Sequence, residues 1–136
     1  MSSVEDNKNK VRQVLAAFEA SDESAIENLH APGFVAHGMP PGLSPDVEGM
    51  KKLAQIIVEG LGESEITIDD LFGEGDRVAL RFTHTGVHQG EMFGIPPSNR
   101  RVTVTGIEIY RMSDARIAEY WGQIDMSALF AGAPTG

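Results

Sequence analysis

The chain has 136 residues, 41% hydrophobic and 23% charged, and a formal net charge of -9. That suits one folded domain with a buried core, neither disordered nor membrane-embedded. The acidic surplus argues against nucleic acid and anionic membrane surfaces as partners, since both require a basic face. The absence of cysteine excludes disulfides and thiolate metal sites.

The polar opening, residues 1–13, has no apolar stretch of the secretory kind, and no apolar run reaches the length of a membrane span. A cytoplasmic location is the expectation by elimination. No repeat or composition shift divides the chain, so residues 1–136 read as a single domain, with helices over about 4–61, a sheet over about 65–125 and a short C-terminal tail.

Ser2 or Ser3 can cap a first helix, with Glu5 or Asp6 completing a capping box. Val11, Val14, Leu15 and Phe18 then form one apolar stripe. Ser21 is the expected cap of a short second helix carrying Ala25, Ile26 and Leu29, which Pro32-Gly33 ends. Phe34 to His37 reads as a short strand before a Gly/Pro loop, 38–42. Ser44-Pro45 should open a third helix, with Met50, Leu53, Ala54, Ile57 and Leu61 on its buried face.

From residue 65 the apolar period changes to two. Strands are predicted over 65–72, 77–87, 101–112 and 116–123, joined by turns at 73–76 and 113–115. Helices followed by long consecutive strands predict an α+β fold: a cone-shaped, curved antiparallel sheet packed against three N-terminal helices.

Gly86-Val-His-Gln-Gly-Glu-Met-Phe-Gly-Ile-Pro-Pro97 resembles a segment typical of SnoaL-like polyketide cyclases, in the nuclear transport factor 2-like superfamily. Around it lie Phe34-Val-Ala-His-Gly38, Gly75-Asp-Arg-Val78, Val104-Thr-Gly-Ile107 and Ile117-Ala-Glu-Tyr-Trp121 with Asp125, in the family's order. The resemblance implies a pocket inside the sheet and an intramolecular aldol ring closure without cofactor or metal. It further implies an acidic acid/base residue on the last strand, helped by polar residues on the neighbouring strand. Here the acid's position falls on Gly122, and the polar pair, expected as Gln and His, falls on Gly106 and Glu108.

Proton transfer beside a carbonyl needs a base and a group to hold the developing enolate. Glu108 is the candidate base. Alternation puts it on one face with Val104, Gly106 and Tyr110, opposite Thr105, Ile107 and Ile109. That face either lines the pocket or is the wetter one, leaving Glu108 solvated. His37, beside the Gly/Pro loop, is a candidate proton donor or a surface residue. Tyr120 is a candidate partner for a substrate oxygen or a packed core residue.

Phe34, Met50, Phe82, His84, Gly106, Tyr110, Gly122 and Asp125 complete the candidate ligand-binding set, and Asp125 also suits a turn or cap. His84 and His88 lie about 13 Å apart along a strand, too far to share a metal. Adjacent Asp69 and Asp70 should point to opposite faces, so no metal or carboxylate-pair site is expected. Three functions remain open: a cofactor-independent cyclase, isomerase or hydratase on a small apolar ligand; a binding protein lacking the acid; or an association module. Ile107, Ile109 and Trp121 on one face favour a homodimer through the outer sheet in each case.

Overall fold

The computed structural model describes residues 3–131, which form four helices and five strands. Helix α1 spans Val4–Ala20, α2 Glu23–Leu29, α3 Val47–Gly60 and α4 Ser127–Ala131. Strand β1 spans His30–His37, β2 Leu61–Glu74, β3 Arg77–His88, β4 Arg101–Ser113 and β5 Arg116–Asp125. The expected α+β architecture is present: a curved sheet with the three N-terminal helices packed on its inner face. The sheet is mixed, in the order β1-β5-β4-β3-β2. Strands β2 to β5 pair antiparallel, β2 to β3 and β4 to β5 through two-residue turns at 75–76 and 114–115 and β3 to β4 through the longer loop 89–100. Strand β1 alone runs parallel, beside β5, because it is delivered to the sheet edge by helices and not by a hairpin.

Local chemistry explains the departures from expectation at the helix ends. Ser3 caps α1 in a complete capping box with Asp6; the alternative cap, Ser2, lies outside the described residues. Ser21 closes α1 in a left-handed conformation, and its neighbour Asp22 caps α2 by accepting from the Ala25 N–H. Similarly, Ser44 donates to Asp46, and Asp46 is the cap of α3. In both Ser-Asp choices the carboxylate takes the cap, which suits the positive end of the helix. Helix α2 ends at Leu29, and Pro32-Gly33 sits within β1, where the pairing with β5 shifts register. What reads in sequence as a tail after Asp125 contains α4, whose Leu129 is fully buried.

The main core joins Val11 and Val14 of α1, Ile26 of α2 and Met50 and Ala54 of α3 to inward residues of the sheet, among them Val78, Leu80 and Ile117. A second cluster, Leu61, Met92, Ile95, Val102 and Leu129, closes one end beneath the 89–100 loop. Strict alternation along β4 leaves Val102, Val104, Gly106, Glu108, Tyr110 and Met112 buried and the intervening residues from Arg101 to Ile109 exposed. The sheet thus has one face on the helices and one outward.

Strand β2 breaks this rule. A register shift between Ile68 and Asp70 makes Asp69 an extra residue, a β-bulge. Asp69 and Asp70 therefore do not face opposite ways: both carboxylates reach Arg81, at 3.7 and 2.7 Å, and Asp69 also accepts from the Thr83 hydroxyl. They form a surface ion-pair cluster.

Candidate functional site

Tyr110 and Tyr120 are cross-strand partners on the inner face, and Glu108 and Gly122 are the next inward pair along the same strands. Both phenol rings lean toward that second pair. The Tyr110 hydroxyl donates to one Glu108 oxygen at 2.7 Å, and the Tyr120 hydroxyl donates to the other at 2.5 Å. These are the chain's only tyrosines, so every phenol it has converges on one carboxyl group. Glu108 is 7% exposed and each tyrosine 2%.

Burial dominates the electrostatics. Desolvation pushes the Glu108 carboxyl above the ordinary carboxylate range, against the pull of the two phenol hydrogen bonds. Burial, then the neighbouring carboxylate, pushes both phenols above their usual value. His84 also lines the space, and burial lowers it, favouring neutral imidazole. Its Nε2 has no hydrogen-bond partner among the described residues.

The space beside Glu108 is a chamber of about 60 Å³ between the sheet and the helices. At roughly 10–15 Å³ per water it holds only a few waters. Apart from Glu108 and the phenols, its walls are mostly apolar, including Met50, Leu53, Ile57, Phe82 and Ile124. Outside it runs an open groove of about 480 Å³, whose walls include Met39, Pro40, Phe93, Met126 and Phe130. Chamber and groove share Leu53, Tyr120 and Ile124, so Tyr120 stands in the partition between them. The groove lies within the roughly 300–1,000 Å³ of ordinary small-molecule sites.

Of the residues singled out from sequence, Glu108, Tyr120, Tyr110, Met50, Phe82 and His84 all line the chamber. Gly106 and Gly122 do not line the chamber: Gly122 lies in the wall of the groove, and Gly106 borders a separate open pocket with Arg81 and Ile107. A Cβ at Gly106 would lie 2.5 Å from the Phe82 ring, and one at Gly122 would overlap the Tyr120 hydroxyl and lie 2.6 Å from its Cζ. Phe34 is buried edge-on against His30 and does not line the chamber. Asp125 is exposed and accepts from the Ser127 N–H two residues on, the turn role.

His37 is the main correction. It shares outward parity with Val35 in β1, so its ring lies on the outer face, stacked on Trp121 at 5.3 Å and bonded to Glu119 at 2.7 Å. Glu119 also receives Arg111, at 3.0 Å, and Arg77 lies over Trp121. Trp121 is outward, as its parity predicts. Tyr110 shares the face of Glu108, as alternation predicts; what the sequence does not give is that its hydroxyl donates to the carboxyl. Helix residues of the wall, such as Leu15 and Phe18, carry no sequence mark distinguishing them from core.

A family model described as SnoaL-like polyketide cyclase matches residues 9–132. The chain belongs to the SnoaL-like polyketide cyclase family. Among solved structures, this SnoaL-like chain is similar to AclR from Streptomyces galilaeus, a candidate hydroxylase: 29% identity over 95% of this chain and 85% of that one, TM-score 0.81. It is similar to TsrD from Streptomyces laurentii at 26% identity, covering 97% of both chains, TM-score 0.85. The third is IdmH from Streptomyces antibioticus, a candidate polyketide cyclase: 29% identity over 93% of this chain and 96% of that one, TM-score 0.78. No curated protein matches the chain. Among the described residues no helix is long and apolar enough to cross a membrane, and no group of His, Asp or Glu is arranged to hold a metal.

Proposed function

We propose that this SnoaL-like protein is a cofactor-independent acid–base enzyme acting on a small, largely apolar carbonyl compound, with Glu108 as the proton acceptor. The observation that carries this reading is a single carboxyl group, buried in an apolar chamber and held by both phenols of the chain. A carboxyl with raised proton affinity suits proton transfer near neutral pH. The ligand's bulk occupies the groove and its carbonyl end faces the partition at Tyr120. Glu108 takes the α-proton: the C–H bond breaks, an O–H bond forms on the carboxyl, and the electron pair moves to the carbonyl oxygen as an enolate. In ring closure the enolate carbon then forms a C–C bond to a second carbonyl, whose oxygen takes the proton back from Glu108. In isomerisation the enolate takes that proton itself at a different carbon.

The test uses 2-tetralone, a bicyclic ketone, with its α-hydrogen exchange into deuterated water followed by NMR. The wild-type chain should accelerate exchange, and Glu108→Gln should remove at least about a hundredfold of that acceleration. Retained exchange in Glu108→Gln would remove the carboxyl from the mechanism. Gly122, standing where the family resemblance places an acid, favours a second reading: a binding protein without turnover. That reading expects 2-naphthol to raise the melting temperature while the wild-type chain leaves tetralone exchange at background. We also propose a homodimer through the outer sheet face, supported by exposed Ile107 and Ile109. Sedimentation as a monomer at micromolar concentration would refute it.

A further inference from the structure

Gly122 is more than a missing acid. It faces Glu108 across the β4–β5 pair, and the space a side chain would fill holds the Tyr120 hydroxyl. We propose that Gly122 is a positioning residue that seats the Tyr120 phenol between Glu108 and the groove, and that this phenol transfers its hydrogen bond from Glu108 to a ligand oxyanion when Glu108 takes a proton. The inference rests on the acid–base reading and specifies how the site holds an enolate, or another planar oxyanion of similar shape.

The proton count permits the switch. An ionised carboxylate only accepts, so both phenols donate to it, as the geometry has them. A protonated carboxyl has an O–H of its own. Directed at the Tyr120 oxygen across the same short contact, it leaves the Tyr120 O–H free to turn toward the groove that Tyr120 also lines. Proton abstraction and oxyanion stabilisation are thereby coupled. No bond beyond those of the abstraction step is made or broken.

The surroundings leave Glu108 and the phenols to set this behaviour. The remaining titratable groups lining the chamber are Glu19 on α1, at the exposed mouth, and His84 on β3. The α3 residues of the wall, Met50, Leu53, Ile57 and Val58, and the β2 residues, Ser64 and Ile66, carry no charge. Glu108 and His84 are separated along the sheet: Leu80 is the cross-strand partner of Glu108, and His84 lies four residues farther along β3.

Two ligand-free and ligand-bound measurements test this without turnover. The first is the carbon-13 titration of the Glu108 carboxyl, identified by its loss in Glu108→Gln. Removing one donor favours the protonated form, so Glu108 should titrate at higher pH in Tyr120→Phe and in Gly122→Ala. The double variant should show no further rise beyond Tyr120→Phe, since both changes remove the same hydrogen bond. The second is binding of 2-naphthol, an aromatic oxygen ligand, on either side of the Glu108 midpoint. The wild type should bind severalfold tighter below the midpoint, and both single variants should lose that difference.

An unchanged Glu108 titration in Gly122→Ala would overturn the positioning role. Equal pH dependence of naphthol binding in wild type and Tyr120→Phe would overturn the switch. If Gly122→Ala fails to fold, Tyr120→Phe decides alone: unchanged titration overturns the proposal. Failure of the acid–base reading is separately visible, as tetralone exchange retained in Glu108→Gln.

Discussion

Glu108 and Glu119 lie on adjacent strands, and their carboxyl groups are held in opposite ways on the two faces of one sheet. On the inner face, Glu108 meets neutral phenols in an apolar chamber, and burial raises its proton affinity. On the outer face, Glu119 meets His37 and Arg111 near solvent, and those hydrogen bonds lower it. The residue type is the same; environment alone separates a carboxyl suited to moving protons from one that remains a structural anion. A carboxylate in a sequence is therefore a candidate acid/base only once its face of the sheet is known to be covered.

The environment of Glu108 depends most on the packing that covers the inner face. Leu80 is the cross-strand partner of Glu108 and 1% exposed. Leu80→Ala should cost about 2–5 kcal/mol in denaturant unfolding and, by admitting water, bring the Glu108 titration toward the ordinary range. A loss under about 1 kcal/mol would mean that the covering is loose.

The second effect concerns pH. Glu108 has a folded-state value above its unfolded one, so its contribution to stability is fully present below the unfolded value. It is lost as pH rises through the folded value. Glu108→Gln removes that penalty, and its melting temperature relative to wild type should rise as pH increases from the ordinary carboxylate range upward. A difference that shrinks with rising pH would reverse the sign assigned here. Glu119 carries the opposite dependence, its stabilisation fading as pH falls through its lowered value.

The smallest effect belongs to the outer face. Arg111→Ala should lower the melting temperature slightly, with a difference that narrows in high salt, and should leave the Glu108 titration in place. A shift in Glu108 would couple the two faces and undo the contrast.

Much of this arrangement was legible in the sequence. The long strands β3 and β4 carry unbroken alternation, so the parity of Glu108, Tyr110 and Ile107 could be read directly, whereas a register shift opposite Arg111 and Met112 interrupts it in β5. Parity does not say which face the helices will cover, and hence how deeply Glu108 is buried. It also failed where a strand was short or irregular. His37 ends a strand whose pairing shifts at residues 30–35, and Asp69 occupies a bulge that no local pattern announces. At Ser21-Asp22 and Ser44–Asp46 two residues with capping chemistry compete, and the sequence alone does not rank them. The tie between Gly122 and Tyr120 depends on a ring folding over its own strand, a feature of three dimensions only.

The most direct test is the carbon-13 titration of Glu108 in the unaltered protein. A midpoint clearly above that of the chain's exposed glutamates is the predicted result. A midpoint at or below theirs would place the carboxyl in contact with bulk water and contradict the account of this site as a buried acid–base centre.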